Sequence, residues 1–356
     1  GLEGKLGKGR LNVFRAVTEV TPSVRNQQLT VKDKGNGSIP AGDTVLLYLD
    51  LKNFLAPTSG LTVTLSASEP SVRILNPEAS VGTIGTLETR PMAGRFTIYI
   101  EEVIADNTSV DFRIGYTGNS GRYSDSEMFS LVVSADYINV LVNKVATTFT
   151  SNGRIGYSRS DASDGIGFSY KGEELLYEAA LMVGNSPVRV SNNARATNGS
   201  SDEHFVKQVR AHETGEETGI FEGSSAFDDS GNPQSLNLYV SHRMLARSAA
   251  PDDKYVLVEY EMQNKNSFPL SNLFAGLFMD WDVDDDGSDA TRYDPASRIA
   301  YTYSRRGGHP YTGVKVLTPG DPVYYPLSYQ VPGDPLQTGG FTLGEKYQTL
   351  SSGVKS

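Results

Sequence analysis

Between Thr21 and Val283 the chain repeatedly alternates apolar and polar residues with a period of two. VLLYLDL (Val45–Leu51), LTVTLSA (Leu61–Ala67), RFTIYIEE (Arg95–Glu102), SVDFRIGY (Ser109–Tyr116) and FSLVV (Phe129–Val133) all do so. Successive side chains of an extended strand point to opposite faces, so each run predicts a strand with one buried face. Turn-forming clusters separate them: KDKGNGSIPAGD (Lys32–Asp43), ADN (Ala105–Asn107) and TGNSGRYSDS (Thr117–Ser126). About seven strands over roughly 115 residues predict an immunoglobulin-like β-sandwich for residues 19–136, a pattern that jelly rolls share.

A second β region follows in YINVLVNKVATTF (Tyr137–Phe149), ELLYEAALMVG, HFVKQV, SLNLYVSHRML, KYVLVEYEMQN and LFAGLFMDWDV. ELLYEAALMVG has helix propensity. Gly172 and Gly184 bracket it and no cap signal flanks it, so it reads as a strand. Residues 137–356 are expected to form one larger antiparallel sandwich or jelly-roll-like domain. Truncation at its C-terminal end is left open, because GEKYQTLSSGVKS supplies no clear closing strand. Residues 1–18 differ: Leu11 and Phe14, and less regularly Val13 and Val17, suit one face of a short helix. The 36 Gly, 19 Tyr and single Trp agree with an all-β class, and 356 residues exceed one hydrophobic core.

The net charge of −10 argues against a nucleic-acid partner, which needs a basic surface to neutralise phosphates, and against anionic membrane. No apolar run is long enough for a transmembrane segment, and GLEGKLGKGR has no signal-peptide core, so the start is expected to be internal or engineered. The absence of Cys removes thiol catalysis and thiolate metal sites. An acidic, Cys-free β protein with clustered Asp suits a calcium-containing exterior, so a secreted bacterial protein, extracellular or at the cell surface, is expected.

The sharpest local signal is MDWDVDDDGSDATRYD (Met279–Asp294). Asp282, Asp284 and Asp286 alternate before Gly287, as oxygen ligands do before the sharp turn of a calcium loop. With Asp280, Asp289 and Asp294 they form a candidate structural Ca2+ site. Tyr293 occupies the place of the bidentate Glu of an EF-hand and a strand precedes the loop, so it is no EF-hand. A solvated acidic turn is the competing explanation, although clustered carboxylates repel one another unless something offsets their field. Asp33, Asn36 and Asp43 form a second, weaker candidate, for which a polar hairpin turn serves equally well.

His204, His212, His242 and His309 have no zinc-site spacing, and neither a nucleophile elbow nor a phosphate loop occurs. Glu101 and Glu102, and Glu173 and Glu174, alternate faces and cannot act jointly on one bond, although distant acids could still converge. Tyr301, Tyr303, Tyr324, Tyr325 and Tyr329 could line a carbohydrate platform, but ordinary strand packing accounts for such tyrosines more often.

GKGRLNVFRAV (Gly7–Val17) resembles the segment that closes subtilisin-like catalytic domains. There a Gly-x-Gly turn leads into a final helix reading roughly Gly-Arg-Val-Asn-Ala-x-x-Ala-Val. Gly7, Gly9, Arg10, Asn12, Ala16 and Val17 fit, and Leu11 and Val13 are conservative departures. GNGSIPAGDTVLLYLDLKN is similar to sandwich domains appended to large secreted subtilases of the Bacteroidetes-like type, and LFAGLFMDWDVDDDG to their far C-terminal region. The resemblance implies a parent serine endopeptidase whose Asp-His-Ser triad lies upstream of this chain, so no catalytic residue can be assigned here. The expected role is a non-catalytic accessory region that stabilises, spaces or anchors an upstream catalytic domain, with protein or glycan ligands or self-assembly open. A structural or adhesive cell-surface protein is the alternative, and an independent hydrolase a weaker one.

Overall fold

The computed structural model describes residues 13–32, 39–92, 96–284, 287–320, 322–328 and 340–352. The chain divides into two compact units, Gly1–Ala135 and Asp136–Ser356. It is nearly all-β and built from antiparallel sheets. No helix among the described residues is long and apolar enough to cross a membrane.

The first unit begins with a short helix, Val13–Thr18 (α1), on which Val13 and Phe14 are exposed. Its strands are Val24–Lys32 (β1), Thr44–Asn53 (β2), Thr58–Ala67 (β3), Val72–Ile74 (β4), Glu78–Ile84 (β5), Thr89–Pro91 (β6), Phe96–Ile100 (β7), Thr108–Gly118 (β8) and Tyr123–Val133 (β9). One sheet runs β1-β2-β7-β4 with β6 on β2, and the other β5-β3-β8-β9. The period-two pattern is realised directly: β2 buries Val45, Leu47, Leu49 and Leu51 on one face, and β8 buries Val110, Phe112, Ile114 and Tyr116. All of these side chains except Val45 meet in one core, which makes the unit a β-sandwich. Each contributes about 1.5–3 kcal/mol on burial. Along one side β1 is tied to β9 of the other sheet: the Val24 N–H donates to Tyr123 Oη at 2.8 Å, and Arg25 Nη1 to Asp125 Oδ2 at 2.6 Å.

The second unit contains Tyr137–Val140 (β10), Val145–Thr150 (β11), Phe168–Tyr170 (β12), Glu173–Glu174 (β13), Leu176–Ser186 (β14), Arg189–Asn192 (β15), Val206–Glu213 (β16), Ile220–Asp228 (β17), Leu238–Arg247 (β18), Val256–Asn264 (β19), Phe274–Trp281 (β20), Asp289–Asp294 (β21), Ile299–Ser304 (β22) and Thr312–Lys315 (β23). They form sheets β10-β11-β12-β13, β15-β14-β20, β16-β17-β18-β19 and β21-β22-β23. β14 is buried on both faces, as its nearly unbroken apolar run requires. One face meets the β16-to-β19 sheet through Leu181 and Val183, and the other holds Ala180 and Met182 beneath a helix, Leu343–Ser351 (α2).

Two elements differ from the sequence-based expectation. The supposed turn Thr117–Ser126 is strand at both ends, and only residues 119–122 turn. The segment without a closing strand forms α2, fixed by a capping box in which Thr342 accepts from the Glu345 N–H and Glu345 accepts from the Thr342 N–H.

Candidate functional site: the aspartate loop and the open side of the second unit

β14 carries one charged residue inside its apolar run, Glu178, and it is fully buried. Its Oε1 accepts from Arg154 Nη1 at 3.2 Å and from the Arg195 backbone N–H at 2.9 Å, and its Oε2 accepts from Arg195 Nε at 2.7 Å. Arg195 also donates to Asp280, the β20 residue paired with Glu178 in the ladder. Burial raises the Asp280 pKa, and Arg195 acts against that rise. Two guanidinium groups and two carboxylates therefore form a compensated network inside the sandwich. The sequence signal for it was the single charged residue within LYEAALMVG, Glu178.

β20 runs from this network into the aspartate loop. The Asp282 N–H donates to Leu175 O at 3.0 Å, which sets the loop beside β13. Asp284 Oδ2 accepts from Ser304 Oγ at 2.6 Å, and its Oδ1 lies 3.8 Å from His309 Nε2 and 3.9 Å from Arg306 Nη1. Asp289 Oδ2 accepts from the Val283 N–H at 2.9 Å, whereas its Oδ1 is buried without a hydrogen-bond partner. Burial raises the Asp289 pKa, and the charges of Asp282 and Asp284 add to that rise.

Sequence reasoning did not connect β13 with this loop. His309 Nδ1 lies 2.9 Å from Glu173 Oε2, and this contact raises the His309 pKa. The Glu174 pKa is raised by burial and then by the field of Asp282.

The remaining candidate ligands are engaged elsewhere. Asp280 belongs to the Glu178 network, and Asp294 closes its own turn by accepting from the Ala296 and Ser297 N–H groups. Asp43 accepts from the Thr44 N–H at 2.7 Å at the start of β2. Asp286, Asp33 and Asn36 lie outside the described residues. Among the described residues no three His, Asp or Glu side chains converge into a metal-binding group.

Beside the loop the second unit is open. β19 and β20 are outermost strands of two different sheets and do not pair with each other. Between them lies a cleft of about 2030 Å³, into which half-buried Val258, Met262, Leu277 and Met279 project from the core. The β21–β23 sheet forms another wall, and there Tyr293 stacks on Tyr324 with centroids 6.0 Å apart. Tyr301, which also lines the cleft, shares a cluster with Tyr303 and Tyr311. Tyr325 also lines the cleft, and Tyr329 lies outside the described residues.

No family model and no curated protein matches the chain. Among solved structures, the sporulation control protein Spo0M from Bacillus subtilis aligns over 66% of this chain and 90% of its own, at 10% identity and a TM-score of 0.21. A DUF4466 family protein from Parabacteroides merdae aligns over 67% and 98%, at 10% identity and a TM-score of 0.17. Likeness at this level assigns neither a family nor a function.

Proposed function

We propose that this chain is the non-catalytic accessory region of an extracellular subtilisin-like serine endopeptidase, which it stabilises, spaces or anchors. The observation that carries the proposal is α1. Val13–Thr18 is helical where the resemblance of Gly7–Val17 to a subtilase closing segment calls for a helix, and a β-sandwich follows at once. Val13 and Phe14 are 64% and 73% exposed, an apolar surface that packing against an upstream catalytic domain would cover.

In this proposal the aspartate loop holds a structural Ca2+. Asp289 is its first ligand, and Asp282 and Asp284, which do not converge with it among the described residues, would close on the ion together with backbone carbonyls. The buried, unpartnered Asp289 Oδ1 fits such a role, since a cation would satisfy it and relieve the repulsion among the three carboxylates. The test compares the parent polypeptide with a version ending at Thr18. The proposal expects unchanged cleavage of a short peptide together with faster thermal inactivation or lost surface retention. Loss of peptide cleavage at permissive temperature, with the catalytic domain still folded, would overturn it.

A further inference from the structure

The sheet β21-β22-β23 has two chemically different faces. Cross-strand register sets Arg292 and Gly313 on either side of Tyr301, and Lys315 opposite Ile299. Directly opposed residues share a face, so these residues and Tyr303 lie together, while Thr302, Ser304 and Thr312 are buried on the other side. Tyr303 and Tyr311 are stacked, 5.3 Å between centroids and 7° between planes, and Tyr301 lies 6.0 Å from each. A Cβ on Gly313 would approach Tyr301 Cα to 2.9 Å, so the close approach of β23 excludes a side chain there. Tyr311 is 69% exposed.

This face carries two cations, Arg292 and Lys315, and one carboxylate, Asp294, which shares a cross-strand row with Lys315 through Ile299. The Arg292 guanidinium lies 5.7 Å from the Tyr303 ring centroid. Arg292 and Lys315 are both exposed, and among the described residues neither forms an ion pair. The Asp294 carboxylate is directed into its own turn, where it accepts from Ser297 Oγ and two backbone N–H groups. Locally, and against the net negative charge of the chain, two cations without an ion pair on the face of three tyrosine rings select a negatively charged ligand that also stacks.

We propose that this face binds an anionic polysaccharide. Pyranose rings would lay their C–H faces on the tyrosines, and carboxylate or sulfate groups would pair with Arg292 and Lys315. An extended acidic peptide would pair with the same two cations but offers no row of flat C–H faces to three neighbouring tyrosine rings, so it fits less well. The proposal is independent of the protease assignment.

The test is affinity electrophoresis of the full chain in gels containing polygalacturonate, dextran sulfate, neutral dextran or poly-glutamate. Retardation by one or both anionic polysaccharides, and not by dextran, is expected, and which polymer acts distinguishes carboxylate from sulfate. Tyr311→Ala and Arg292→Gln should each weaken it about tenfold, the effect of losing one anchor side chain. Their thermal unfolding should be unchanged, because both positions are exposed. Lack of retardation by either polysaccharide would overturn the proposal. So would retardation that survives Tyr311→Ala, or equal retardation by poly-glutamate, since charge alone would then explain binding.

Discussion

The imidazole of His242 lies parallel to the phenol ring of Tyr260, with centroids 4.6 Å apart and 4° between the planes. Phe149 packs 4.6 Å away on the same residue, and His242 is fully buried between the sheets. Nδ1 lies 3.2 Å from Ser225 Oγ, while Nε2 is buried without a partner. Burial pushes the pKa down to about 3.

A pH dependence follows from that depression. The unfolded chain takes up the proton near pH 6.5, and the folded chain refuses it until about pH 3. The stabilising contribution of neutral His242 is thus complete above pH 6.5 and is lost as pH falls through this window, by about 1.4 kcal/mol per unit. Calorimetry should find the second unit's unfolding midpoint dropping between pH 6.5 and 4.5, and His242→Leu should flatten that slope. An equal slope in the variant would assign the acid sensitivity to other groups.

Glu178→Ala leaves Arg154 and Arg195 charged in the interior without their shared carboxylate. Breaking a buried ion pair from one side costs about 3–5 kcal/mol. The unfolding transition of the second unit should fall sharply in temperature. That of the first unit should stay in place, because the network lies wholly within Asp136–Ser356.

A structural Ca2+ at the aspartate loop predicts a higher unfolding temperature in calcium than in chelator. Asp289→Asn and Asp284→Ala should each remove most of that shift, because linkage stabilisation vanishes with the affinity. Asp294→Ala should preserve it, since Asp294 serves its own turn. Equal melting in calcium and chelator would demote the loop to a solvated acidic turn.

Thr342→Ala deletes the cap of α2 and should destabilise the second unit by about 1 kcal/mol. The helix is anchored by Phe341 and Lys346, both fully buried. Lys346 Nζ donates to Asp202 Oδ2 and Asn192 Oδ1 at 2.8 Å each. Chemical denaturation of the variant measures the loss, and an unchanged midpoint would mean that α2 docks without its cap.

The strands of the first unit were legible because each buries one face, and VLLYLDL became β2 with the alternation intact. β9 was cut short because its first residues, YSDSE, are polar and hold the strand by backbone pairing with β8 and by contacts such as Asp125 to Arg25. α2 was missed although Thr342-Leu343-Gly344-Glu345 carries a capping box, since GEKYQTLS lacks a marked apolar face. At the site, Met279–Asp294 located the loop, but strand alternation and turn chemistry assigned Asp280 and Asp294 to other partners. Residues distant in sequence stayed hidden: Glu173 meets His309 across 136 positions, and Tyr311, next to a proline and glycines, reads as turn.

Serine-directed labelling tests the central claim most directly. The parent polypeptide and the isolated 356-residue chain would both be treated with a fluorophosphonate probe, and the labelled serine located by mass spectrometry. The accessory-region account predicts a labelled serine upstream of Gly1 in the parent and none in the isolated chain. A labelled serine between Gly1 and Ser356, or a parent that takes no label while folded, would contradict it.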